Sequence, residues 1–189
     1  MEPRVFLNAL HIAERLKDAT RHCTTSNRRP ESVAEHSWRM ALMAYFIRDE
    51  FPEADMDKVG RMCLIHDLGE AFTGDIPTFN KTKADEETEE ALLDHWVSSL
   101  PDPLSSDMRI LYAEMNERKT IEAKIYKALD GLEAVIQHNE SPLDTWIERE
   151  YDLNLTYAYD KVSFSSWLTR LRNEIHEDTI RKIETEKAR

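Results

Sequence analysis

Only four glycines, Gly60, Gly69, Gly74 and Gly131, punctuate 189 residues. Glycine supplies the tight turns that join short strands, so its scarcity favours long helical segments. The apolar pattern agrees, recurring every third or fourth position. Phe6, Leu10, Ala13 and Leu16 predict a helix over residues 4–18. Val33, His36, Met40, Met43 and Ile47 share one side of a second, Glu31–Glu50. Phe51-Pro52 ends it, because the residue before proline is pushed out of the helical region. A third runs from Asp55 to Glu70, with Val59, Met62, His66 and Gly69 stacked along it and an Asp-rich start suited to a helix N-terminus.

Further helices are expected over residues 85–100, 105–117 and 120–139. A short helix begins at Ser141-Pro142, and a charged amphipathic helix runs from Ser163 and frays after Lys182. Thr20–Pro30 and Thr73–Lys83 read as loops. No strand is expected, since runs of β-branched residues are missing. The reading is an all-α bundle of about six to eight helices in one domain. Its core spans residues 5–140, and residues 141–189 form a helical extension.

Acidic residues number 37 against 25 basic ones, a formal charge of −12. That surface repels a phosphodiester backbone, so a nucleic-acid polymer is not expected as partner. A small phosphate ester stays admissible, because one metal or basic group can reverse the field within a pocket. No run of about 18 apolar residues exists to span a membrane. The N-terminal Met-Glu-Pro-Arg does not resemble a signal peptide. Cys23 and Cys63 are too few for a disulfide framework and lack metal-motif spacing. Cys63 lies in an apolar run as a small core residue, and reduced thiols fit a cytoplasmic location.

Polar residues then stand where core residues belong. His36 and His66 sit on apolar helix faces, and a buried histidine must find hydrogen-bond partners or coordinate something. Taken alone, each fits a hydrogen-bonded core histidine. Around His66 the density rises, with Asp67 next, Glu70 one turn on and Asp75 in the following loop. Residues four apart share a helical face, so His66 and Glu70 can converge.

His36 on one helix, His66-Asp67 on the next and Asp130 on a later one resemble the H…HD…D signature of HD-domain phosphohydrolases. His66-Asp67-Leu68-Gly69-Glu70 followed by Thr73-Gly74-Asp75-Ile76-Pro77 is more specific. With Glu35-His36-Ser37 and Ala128-Leu129-Asp130, it resembles the 5′-deoxynucleotidase subfamily over roughly residues 5–140. The resemblance implies that His36, His66, Asp67 and Asp130 hold one divalent metal. Two imidazoles and two carboxylates suit Mn²⁺, Co²⁺, Mg²⁺, Fe²⁺, Ni²⁺ or Zn²⁺ without choosing among them.

The resemblance further implies catalytic roles for Glu70, which assists the attacking water, and Asp75, near the leaving oxygen. Arg21 matches the family's phosphate-contacting arginine, a task suited to its two-pronged guanidinium. His22 stands where the best-known relatives carry tryptophan, and Lys81 and Lys83 could steer an anionic substrate. Lys127 is expected in an ordinary salt bridge. Trp38, Trp96, Trp146 and Trp167 are expected in the core, and His138 has no motif around it. The implied activity is metal-dependent removal of phosphate from (deoxy)nucleoside 5′-monophosphates, by a homodimer. Two alternatives stay open: a different nucleotide substrate for the same site, or a non-catalytic metal-binding module.

Overall fold

A computed structural model describes residues 1–187. Helix α1 (Pro3–Glu14) opens with proline in its first turn, where a missing N–H costs nothing. A strand pair follows, β1 (Thr20–Thr24) antiparallel to β2 (Pro30–Ser32). This corrects the expectation of a loop and no strand. The turn between them closes through Thr25 N–H to the Arg29 carbonyl at 2.7 Å, with Arg28 at positive φ. A hairpin this short has little β-branched signal, and α7 fastens it from outside.

Helix α2 (Val33–Phe46) starts two residues later than expected, because Ser32 and Glu35 form a reciprocal cap that defines its first turn. Helix α3 (Met56–Ile65) begins at the Asp55 cap and stops short of the expected Glu70. Beyond it come α4 (Glu70–Thr73), α5 (Lys83–Ser98), α6 (Leu104–Glu117) and α7 (Ile121–Glu140). The chain continues through α8 (Glu148–Thr156), α9 (Tyr159–Val162) and α10 (Ser166–Lys187). Helix α10 runs unbroken past Lys182, and residues 188–189 of the expected frayed end lie outside the described residues.

Helices α2, α3 and α7 meet along a stripe in which Met40, Met62, Ile125, Leu129 and Leu132 are fully buried. Val162, Leu168 and Ile175 bring α9 and α10 onto the same core. A second cluster around Leu16, Leu68, Val97 and Met108 joins the start of the chain to α5 and α6. Phe6 and Leu10, two of the apolar positions that predict α1, are exposed. Trp38 on α2 is exposed as well, because α2 turns that side outward while His36 and Met40 take the core side. Trp146 is buried as expected. No helix among the described residues is long and apolar enough to cross a membrane.

Candidate metal centre and cleft

The break after α3 shapes the site. Between Ile65 and Gly69 the backbone bonds shorten to three-residue steps, Leu68 N–H to Ile65 O at 3.1 Å and Glu70 N–H to Asp67 O at 3.0 Å. In such a turn residues three apart eclipse, so Asp67 shares its face with Glu70. The expected His66–Glu70 alignment belonged to an uninterrupted α-helix. Gly69 allows the turn to sit against α5, since a Cβ there would lie 2.7 Å from Glu89 Cγ. Gly74, at φ +74, ends α4 and releases the loop that carries Asp75.

His36 is fully buried on α2. Its Nδ1–H donates to Glu133 of α7. The other nitrogen, Nε2, faces Asp130 Oδ1 at 3.4 Å and Asp67 Oδ2 at 3.9 Å. His66 repeats the arrangement: Nδ1–H donates to the Cys63 carbonyl at 2.9 Å. Its Nε2 lies 3.0 Å from Asp67 Oδ2 and 3.9 Å from Asp130 Oδ1. Both Nε2 atoms are buried without a hydrogen-bond partner. Buried polar atoms are seldom left so. Metal bonds of about 2.1 Å put neighbouring donors roughly 3–4 Å apart, the spacing seen here. Donor atoms of His36, His66 and Asp67 all lie within 4.8 Å of one another, and Asp130 joins through both imidazoles. His36, His66 and Asp67 could hold a divalent cation, with Asp130 beside both imidazoles.

The field in this pocket favours positive charge. Burial works against ionised Asp67, yet the two histidines hold its carboxyl well below the usual range. Burial opposes Asp130 too, and Lys127, 2.7 Å away, outweighs it together with His36. Lys127 thus forms the expected salt bridge, here to one of the four candidate ligands. For His36, burial and Arg21 disfavour the proton, but Asp130 and Glu133 lift it to about 10. A metal cation would compete with that proton for the same nitrogen.

A cleft of about 400 Å³ opens over these groups, within the size range of small-ligand pockets. Arg21, Asp67, Glu70, Asp75, Lys81 and Asp130 all line it. Arg21 extends from β1, with Nε 3.2 Å from Glu31 and Nη1 3.8 Å from Asp67. Its strand is fastened to α7 where Gln137 and Ser141 donate to the Thr24 carbonyl at 2.8 and 2.6 Å. Burial first, then the charges of Asp67 and Asp75, push Glu70 up to about 9. Asp75 is raised by burial and Asp67 against the pull of Arg21. Lys81 lies 2.8 Å from Glu89 at the rim. Lys83 pairs with Glu87 outside the cleft, fully in water.

The far end of the cleft is built around Glu150 of α8. His22 Nε2 lies 3.2 Å and His138 Nε2 2.8 Å from its Oε1, and Ile147 N–H donates to Oε2 at 2.8 Å. The His22 ring meets Phe79 edge-on at 5.5 Å. Sequence reasoning passed over Glu133, Glu150 and His138. Glu133 had a readable signal, a carboxylate one turn after Asp130 inside the apolar run Leu129 to Val135. Glu150 had none, since nothing in the sequence ties α8 to β1.

A family model described as HD domain matches residues 13–171. The chain belongs to the HD domain family. The match takes in His36, the His66-Asp67 pair, Asp130 and most of the C-terminal helices. The chain is similar to the 5′-deoxynucleotidase HDDC2 of Xenopus laevis, 37% identical over 111 residues, 58% of this chain and 54% of the relative. It thus spans about half the length of the curated relatives it matches. Among solved structures, a predicted metal-dependent phosphohydrolase from Magnetospirillum magnetotacticum shares the fold, with a TM-score of 0.78 at 24% identity over 95% of both chains. So does a cyanophage S-2L HD phosphohydrolase (DatZ) bound to dA and one catalytic Zn²⁺ ion. Its TM-score is 0.54 at 21% identity, over 95% of this chain and 96% of that one.

Proposed function

We propose that this HD-domain chain removes phosphate from (deoxy)nucleoside 5′-monophosphates with a divalent metal held by His36, His66, Asp67 and Asp130. The observation that carries the reading is the pair of buried imidazole nitrogens, both unpartnered and both facing two carboxylates under an open cleft. A cation bound there would polarise a phosphoryl oxygen and lower the pKa of a neighbouring water. Arg21 at the cleft wall, 3.8 Å from Asp67, offers a planar fork to phosphate oxygens.

Glu70 stands beside Asp67 with one buried oxygen unpartnered, placed to hold and then accept a proton from water. A positive charge between Asp67 and Asp130 opposes the repulsion that raises Glu70, which favours its basic form. Burial and the charge of Asp67 raise the Asp75 carboxyl, the direction that suits a proton donor to a leaving oxygen. His22 and Lys81 line the remaining cleft as substrate contacts. Support for the substrate class comes from the named activity of the curated relatives and the deoxyadenosine in the cyanophage enzyme. The test is phosphate release from a panel of nucleoside mono-, di- and triphosphates with Mn²⁺, Co²⁺ or Zn²⁺ supplied. Release from 5′-monophosphates is expected. Preference for triphosphates would move the reading to another HD-type hydrolase, and no release with metal bound would move it to a binding module.

A further inference from the structure

We infer that Glu133 is a positioning residue for the metal centre, fixing His36 as the Nδ1–H tautomer so that Nε2 presents its lone pair to the cation. The inference rests on the metal reading above and adds a residue with no place in it. Glu133 is fully buried on α7, one turn beyond Asp130. One of its oxygens takes the His36 Nδ1–H, and the other has no hydrogen-bond partner. Among the described residues the histidine is therefore the one hydrogen-bonded group this buried carboxylate serves. Arg39 faces it, with Nε 3.8 Å from Oε1, and is itself clamped by Gln137 and Glu140 at 2.6–2.8 Å. Placing Asp130 and Glu133 three residues apart on one helix puts a ligand and the support for another ligand on the same face.

The two imidazoles differ in what holds them. His66 is oriented by the Cys63 backbone carbonyl, which no side-chain substitution removes. His36 depends on a side chain. Outer partners of this kind set the tautomer and raise the basicity of a metal-binding histidine. Glu31, His36 and Glu133 also form a close group of possible ligand atoms. A second cation among them is disfavoured, because Glu31 already accepts the Cys23 thiol at 3.1 Å and faces Arg21, while His36 Nδ1 is committed to Glu133.

The test titrates Co²⁺ into the metal-free protein and into Glu133→Gln and Glu140→Gln. Glu133→Gln is expected to weaken Co²⁺ binding by about 10–100-fold. At saturating Co²⁺, its KM for a nucleoside monophosphate should stay near that of the wild type. Glu140→Gln removes only an exposed partner of Arg39 and should stay within about twofold. Wild-type Co²⁺ affinity in Glu133→Gln overturns the assignment alone, whereas a wild type that binds no Co²⁺ overturns it together with the metal reading. Should Glu133→Gln fail to fold, ¹⁵N-histidine spectra of the Zn²⁺-loaded wild type decide. A protonated His36 Nδ1 supports the inference, and a protonated Nε2 ends it.

Discussion

The two ends of the cleft solve the problem of buried polarity in opposite ways. At the metal end, His36 Nε2, His66 Nε2 and Glu70 Oε2 are buried with no hydrogen-bond partner. At the far end, Glu150 has both oxygens engaged, by two histidines and a backbone N–H. An unpaired buried polar atom costs about 1–3 kcal/mol, so three of them together would burden a fold that used the site only for shape. A bound cation with its water would complete them. The Glu150 cluster is complete without one, so its first duty is to hold β1, α7 and α8 together around the cleft. At these residues the unsatisfied atoms of His36, His66 and Glu70 point to chemistry, and the satisfied carboxylate of Glu150 points to scaffold.

Substitutions at the two ends should differ accordingly. The largest effect is expected at Glu70. Glu70→Ala should leave the metal bound and KM similar, while kcat falls by about 10²–10⁴-fold, the usual worth of a positioned proton acceptor. Metal analysis with steady-state kinetics checks both parts, and near-native kcat would show that Glu70 handles no proton. Arg21→Ala should act on binding as well as rate. A hydrogen bond to a charged group contributes about 1.5–3 kcal/mol, so kcat/KM should drop by roughly 10–100-fold with KM raised. A change in kcat alone would place the phosphate elsewhere.

The smallest effect on chemistry is expected at Glu150. Glu150→Gln should leave metal affinity intact and lower stability by about 1–3 kcal/mol, measured by urea unfolding. Burial alone would raise this carboxyl, but the hydrogen bond and charge of His138 hold it below its ordinary value. A depressed folded-state pKa stabilises above the unfolded value, about 4.3, and that contribution disappears as pH falls through the lower folded value. The stability gap between wild type and Glu150→Gln should therefore be full near neutrality and close in acid. A gap that widens below pH 4 would mean that Glu150 is not ionised in the fold.

The same contrast separates what was legible in the sequence. Helix periodicity exposed the bundle, since α2, α3, α5, α6 and α7 each carry several turns of local pattern. Local pattern could not reveal β1 and β2, which depend on Gln137 and Ser141 more than 110 residues away. Nor could it reveal the break at His66, where His66 and Gly69 keep helical angles and the hydrogen-bond step changes. Trp38 misled because its spacing fits a helix whose buried side is set by partners the pattern does not name. At the site, the His66-Asp67 pair and Glu70 could be read because they are dense in sequence. Glu133 and Glu150 act through tertiary neighbours, 97 residues away for His36 and 12 for His138.

The central claim is that the leftover atoms at one end of the cleft form a single cation site. Metal analysis after Co²⁺ loading, on wild type and Asp67→Ala side by side, tests it most directly. One ion per wild-type chain is expected, and loss of most of it, with phosphate release falling alongside, in Asp67→Ala. Full metal content and full turnover in Asp67→Ala would place the site somewhere else in the molecule.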